Sequence, residues 1–131
     1  MNVKEYMMNY KRVTEIPFSS MHVMSIMRPY LVCNDGFSVS IQASENHYCE
    51  PRENLLDKDY EEVELGFPSE EDSLILDYAE DPDEPTNTVY GYVPIDVVQE
   101  LINKHGGIKG PNPKSLESLK QHCDMYSYCT W

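Results

Sequence analysis

Positive charge is what this sequence has least of. Ten Lys and Arg residues stand against 23 Asp and Glu, giving a net charge of −13 at neutral pH. A chain this acidic has no basic footprint for a phosphate backbone or an anionic bilayer, so direct nucleic-acid binding and membrane binding are excluded as expectations. Long apolar runs are missing too, and none approaches the roughly 20 residues that span a bilayer. The four cysteines, Cys33, Cys49, Cys123 and Cys129, form no C-x-x-C pair and follow no signal-peptide pattern, which predicts free thiols in a cytoplasmic protein. Nor does the chain contain a G-x-x-x-x-G-K-[ST] or G-x-G-x-x-G phosphate loop or a G-x-S-x-G nucleophile elbow.

What is present suffices for one core. With 131 residues, 40% of them hydrophobic and ten of them Tyr, residues 1–131 read as a single domain. Within it, 1–20 form an N-terminal extension, 27–108 the core, and 112–131 a C-terminal helix and tail. Val3, Tyr6, Met7, Tyr10 and Val13 lie at helical spacing, and Pro17 is expected to end that helix. Met21–Met27 and Pro29–Cys33 read as extended. Asn34-Asp35-Gly36 then supplies a hairpin turn, because Gly accepts positive φ, and Phe37, Val39 and Ile41 alternate with Ser38, Ser40 and Gln42.

A third strand is predicted at Glu61–Phe67 and a short helix from Ser69 to about Ala79, capped by Ser69. A fourth strand follows at Thr88–Val93, with Val89, Gly91 and Val93 on one side and Tyr90 and Tyr92 on the other. Pro94 opens a helix that Gly106 stops, GGIKGPNP reads as a loop, and Asn112-Pro113 starts a last helix. The tail is expected to add an edge strand or to close over the core. The fold class is therefore α+β: a mainly antiparallel sheet around a central hairpin, with two or three helices packed on one face. Its open edges predict a homodimer or a higher homo-oligomer.

The acids are concentrated. From Asp57 to Glu84 thirteen of twenty-eight residues are acidic, against the single base Lys58. Glu61, Glu62, Glu64, Glu70, Glu71, Asp72, Glu80, Asp81, Asp83 and Glu84 form a candidate interaction patch. One reading is a solvated face that keeps the protein soluble; the other is an imitation of nucleic acid that occupies a groove on a basic protein.

Three constellations bear on chemistry. His47, Cys49, His122, Cys123 and Cys129 are zinc-type ligands, but their spacing matches no finger, ribbon or knuckle, so no metal is assigned. Cys49 and His47 stand two apart, close enough for a nucleophile and base, yet no oxyanion donor accompanies them and no catalytic residue or cofactor is assigned. The third is a ligand pocket. Arg28 precedes the hairpin and Arg52 follows it, so antiparallel pairing brings both guanidinium groups to one end of the sheet, where they fork onto a phosphate or pair with neighbouring carboxylates. Tyr48, Tyr90 and Tyr92 supply ring faces, and His47 a polar strand end.

Through RPYLVCNDGFSVSIQASENHYCEPR, VELGFPSEED and TVYGYVPIDVVQELINKHGG, about residues 27 to 108, the chain resembles a group of small phage and prophage accessory proteins. That resemblance implies a non-enzymatic counter-defence role in the host cytoplasm. One form is a sponge, similar to the Thoeris anti-defence proteins, that sequesters a nucleotide-derived immune signal. Another is an anti-CRISPR-like acidic inhibitor that blocks a basic host defence protein, and a third is a phage structural or assembly protein.

Overall fold

The computed structural model describes residues 1–18, 21–121 and 128–130, the side chains of 16–18, 21–23 and 128–129 excepted. Asn2 starts the first helix, α1 (Val3–Asn9), with a reciprocal cap: its side chain accepts from the Glu5 N–H, and the Glu5 carboxylate accepts from its own. The helix is shorter than its spacing predicts, because the chain is already extended from Arg12. Strands β1 (Arg12–Phe18) and β2 (Met21–Met27) form an antiparallel hairpin. Pro17 sits inside β1 instead of ending a helix. Among the described residues the C-terminal strand pairs with Val13 to Glu15 of β1.

Strands β3 (Leu31–Cys33), β4 (Ser38–Gln42), β5 (Glu62–Gly66) and β6 (Val89–Pro94) lead into α2 (Ile95–Lys104), β7 (Ile108–Pro111), α3 (Pro113–Gln121) and β8 (Tyr128–Thr130). Five of the strands make an antiparallel sheet in the order β6-β5-β4-β3-β7, and β2-β1-β8 make a second one. The architecture is α+β, as expected. Among the described residues no helix is long and apolar enough to cross a membrane.

Leu31, Val39, Ile41, Val63 and Leu65 are fully buried from one face of the larger sheet, against Val3, Tyr6 and Met7 of α1 and Val98, Leu101 and Ile102 of α2. Each such aliphatic side chain contributes about 1.5–3 kcal/mol on burial. The first helix is thus part of the core. The helix from Pro94, α2, covers this face as expected and α1, read as an extension, joins it, whereas the helix from Pro113, α3, expected on the same face, stands beside the opposite, polar one. Asn112 starts α3 as anticipated, accepting from the Ser115 N–H at 3.0 Å.

Three expectations need correction. Residues 69–79 form turns and one 3-10 turn, Leu76–Tyr78, in place of an α-helix. Ser69 is not free to cap, because its hydroxyl accepts from the Ser38 N–H at 3.0 Å and its own N–H bonds the Ser38 carbonyl at 2.8 Å. Ile108–Pro111, read as a loop, is an edge strand on β3, where Pro111 is tolerated. In β6 the alternation breaks, and that break builds the candidate site.

His105 ties the hairpin turn to the far end of the chain. It ends α2, its ring stacks on Phe37 at 3.9 Å, and its two nitrogens reach Asp35 at 2.7 Å and Asp72 at 2.9 Å. Two carboxylate partners call for two N–H donors, hence an imidazolium, which the negative end of the helix also favours. Burial pushes the His105 pKa down, but both bonds and both charges act the other way and hold it above its ordinary value. Asp72, in spite of its burial, is held below the usual carboxylate range by the Leu74 N–H, His105 and Lys104. Asp35 is also held low, by the Phe37 N–H and His105.

The signs set a window. Stabilisation by His105 is complete below its unfolded pKa of about 6.5 and is lost as pH rises through the raised folded value. Stabilisation by Asp35 and Asp72 is complete above about 3.8 and is lost as pH falls through their lowered values. His105→Asn is therefore expected to cost on the order of 1–3 kcal/mol near pH 5.5. In urea denaturation the gap from the parent should narrow by pH 9, and a gap constant between the two pH values would show that His105 does not fold as a cation.

Candidate functional site

The pairing of β5 with β6 matches Val63 to Val93 and Leu65 to Tyr90, so two residues of β6, Gly91 and Tyr92, oppose the single Glu64. This is a β-bulge, and Tyr92 absorbs it with a φ of +54°. A tyrosine in the left-handed region carries strain of about 1–2 kcal/mol. The bulge also puts Tyr90 and Val93 on the same side. Tyr90 is consequently in the core, its hydroxyl bonded to the Pro85 carbonyl, and offers no ring face to a ligand. Tyr92 turns outward and is 44% exposed.

Tyr48, equally exposed at 44%, comes to meet it. The Tyr92 N–H donates to the Tyr48 carbonyl at 3.0 Å, and the two rings are 6.1 Å apart, tilted by 46°. The approach depends on Gly91, since a Cβ there would lie 3.2 Å from that of Tyr48. The Arg52 guanidinium sits 5.3 Å above the Tyr48 ring while its Nε donates to the Glu45 carbonyl. Glu64 accepts from the Tyr48 N–H at 3.2 Å. Burial raises the Glu64 pKa, and the charge of Glu80 adds to this. Beside the rings, Tyr48, Tyr78, Glu80 and Tyr92 line a concavity of about 290 Å³.

Arg28 does not join this group. It is 4% exposed, its Nε donates to the Met7 carbonyl at 3.0 Å, its Nη1 donates to the Ala43 carbonyl at 2.9 Å, and the group lies 5.9 Å from the Tyr60 ring. Desolvation lowers its pKa to about 10, which still leaves it charged at neutral pH. The partners of the Arg28 guanidinium are thus backbone carbonyls, neither phosphate nor carboxylate, although the residue also borders the cleft on the sheet's polar face. Arg28 is a tertiary cap on α1, which has no basic residue in its own last turn. Its backbone is clamped by the Gln42 amide, which accepts from the Arg28 N–H and donates to the Arg28 carbonyl.

His47 lies across the sheet's polar face, in an open cleft of about 720 Å³ shared with Ser38, Ser40, Glu64, Phe67 and Lys114. Burial, then the charges of Arg28 and Arg52, keep its pKa below the ordinary histidine value. Its Nδ1 is 2.6 Å from the Ser44 hydroxyl, whereas the Cys49 thiol donates to the Ser44 carbonyl, so the two are not set up as base and nucleophile. Burial pushes the Cys49 pKa up and that of Cys33 up to about 11. Of the zinc-type set, His122, Cys123 and the Cys129 side chain lie outside the described residues.

The acidic patch is divided. Asp72 is buried in the His105 network and is not part of a surface, and Glu70 lies 3.9 Å from His105. Glu61, Glu71, Glu80, Asp81, Asp83 and Glu84 are exposed, and Glu62 and Glu64 are half-buried on β5. No protein-family model, curated protein or solved structure matches the chain.

The candidate site thus unites Tyr48, Tyr92, Arg52 and the carboxylates of Glu64 and Glu80. Tyr78, Gly91 and the exposed Phe67 escaped the sequence reading. A glycine inside a strand, as in Tyr90-Gly91-Tyr92, is itself a bulge signal. If Tyr92 holds its left-handed backbone, Tyr92→Gly is more stable than Tyr92→Ala by about 1 kcal/mol, because only Gly adopts that φ without strain. Urea denaturation of both variants measures this. Equal stabilities would show that the bulge relaxes in solution.

Proposed function

We propose that the chain is a non-enzymatic binding protein that docks its acidic, tyrosine-bearing face onto a basic partner protein. The observation that carries this reading is the exposed pair Tyr48 and Tyr92, held together across a strained bulge beside Glu64 and Glu80. Strain of this kind persists only where the surrounding structure over-determines it. Exposed aromatics are typical anchors at protein interfaces, and the sign of the surrounding charge selects the partner. Among the described residues no carboxylate of Glu80 to Glu84 is in an ion pair, and Glu64 feels the charge of Arg52 without pairing to it, so the negative potential of this face is only partly offset. In the setting that the resemblance to phage accessory proteins implies, the partner is a basic defence effector in the host cytoplasm.

The test compares two variants of equal net charge. Glu80→Lys/Asp81→Lys/Glu84→Lys reverses the face, and Asp96→Lys/Glu100→Lys/Glu117→Lys reverses helix positions elsewhere. Against a deca-arginine peptide in calorimetry at physiological salt, the first is expected to bind at least about tenfold more weakly than the parent and the second within about twofold, since local complementarity acts within a Debye length of about 8 Å. Equal losses would mean that the acids only set the net charge.

A second reading, sequestration of a nucleotide-derived signal, is supported by the volume of the polar-face cleft and by Lys114 and His47 on its wall. It no longer draws on paired arginines. If it holds, a panel of mono-, di- and cyclic nucleotides raises the melting temperature in a concentration-dependent way, and Lys114→Gln abolishes the shift. A flat response across the panel would exclude it.

A further inference from the structure

The docking face is not uniform, and its concavity has a definite chemistry. Tyr78, at the end of the 3-10 turn and packed in part on the core, and Glu80, two residues later, line the concavity with Tyr48 and Tyr92 from the segment that crosses the edge of β6. The Glu80 N–H bonds the Val89 carbonyl at 2.9 Å, and Ala79 bridges to Tyr90, so the backbone carrying this wall is fixed. The concavity, about 290 Å³ and open to solvent, accommodates one long side chain. No basic residue lines it.

Two exposed tyrosine rings, a third tyrosine on the wall and one carboxylate form the type of site that attracts a cation: ring faces carry negative potential and the carboxylate supplies the counter-charge. The protein contains its own precedent, since Arg52 places a guanidinium 5.3 Å from the centre of the Tyr48 ring. Arg52 is not among the residues that line the concavity, so that space is open to a second cation.

We infer that the Tyr48–Tyr78–Tyr92–Glu80 pocket receives a single arginine side chain of the partner. This rests on the reading of the face as a surface for a basic protein and names the residue type that it seats. The guanidinium stacks on the tyrosine rings while Glu80 accepts its N–H donors. The bulge at Tyr92 is then the backbone device that closes one wall of the pocket, and Gly91 is the clearance that lets Tyr48 close another.

Titration of the intact, isotope-labelled protein with acetyl-Gly-Arg-Gly-amide, followed by NMR, tests this directly. The ring signals of Tyr48, Tyr78 and Tyr92 are expected to shift saturably, while the glutamine peptide acetyl-Gly-Gln-Gly-amide leaves them in place. Tyr92→Leu and Glu80→Gln should each weaken binding about fivefold. Equal shifts with the two peptides would overturn the inference, as would binding that appears only in Arg52→Gln, since the parent's ring would then be taken by its own cation. Deca-arginine separates the two levels of the proposal. If it binds the parent, is lost on reversal of Glu80, Asp81 and Glu84, and is unaffected by Tyr92→Leu, the pocket fails and the docking face stands. If the parent does not bind it at all, both fall.

Discussion

The imidazole of His105, bonded on one side to Asp35 and on the other to Asp72, joins the hairpin turn, the end of α2 and the segment that follows β5. Burying an ion costs several kcal/mol unless its partners are close and well oriented, and here every part of the bridge is matched. Asp72 accepts from Leu74 N–H, Lys104 and His105 together, while Phe37 covers the ring. With Asp72 anchored, Ile75 is buried and the chain beyond it is laid along β6. The position of Glu80 beside Tyr48 and Tyr92 depends on that course. The site is thus held by an interaction on a different part of the sheet.

Charge in this molecule is arranged in two ways. Around His105 the acids are neutralised: Asp35, Glu70 and Asp72 share Lys104 and the imidazolium. From Glu80 to Glu84 they have no such partner among the described residues. Arg28, one of only ten strong bases, is spent on backbone carbonyls inside the protein. The surface is accordingly more uneven than the net charge suggests, and the uneven part coincides with the exposed tyrosines.

How much of this was legible follows from how local each signal is. The hairpin at Asn34-Asp35-Gly36, the strand over residues 62–66 and the helix after Pro94 are written in neighbouring residues, by a turn glycine, by alternation and by end signals. Residues 12–18 lost their helical appearance to strand pairing, which the spacing of Tyr10 and Val13 does not disclose. Ser69 looked like a cap because Ser38, its actual partner, is thirty-one residues away. In the site, Arg52, Tyr48 and Tyr92 were identified as candidates by residue type. What decided their roles was the bulge in β6, which put Tyr90 and Tyr92, expected on one side, on opposite sides. Arg28 was misjudged for a similar reason: its position at the end of the sheet was readable, but the carbonyls of Met7 and Ala43 that claim it were not.

The segment laid over β6 has one more consequence. The Glu80 N–H bonds the Val89 carbonyl, the Asp81 N–H bonds the Thr88 hydroxyl, and Tyr48 takes the N–H of Tyr92, so much of the outer rim of this strand is covered between Thr88 and Tyr92. An exposed rim would invite any extended chain to lengthen the sheet, whatever its sequence. Here part of that rim is already bonded within the chain, which leaves fewer backbone groups for such visitors. On the proposed reading, recognition at this face discriminates by residue type, and the same covering works against edge-to-edge pairing of copies along this strand.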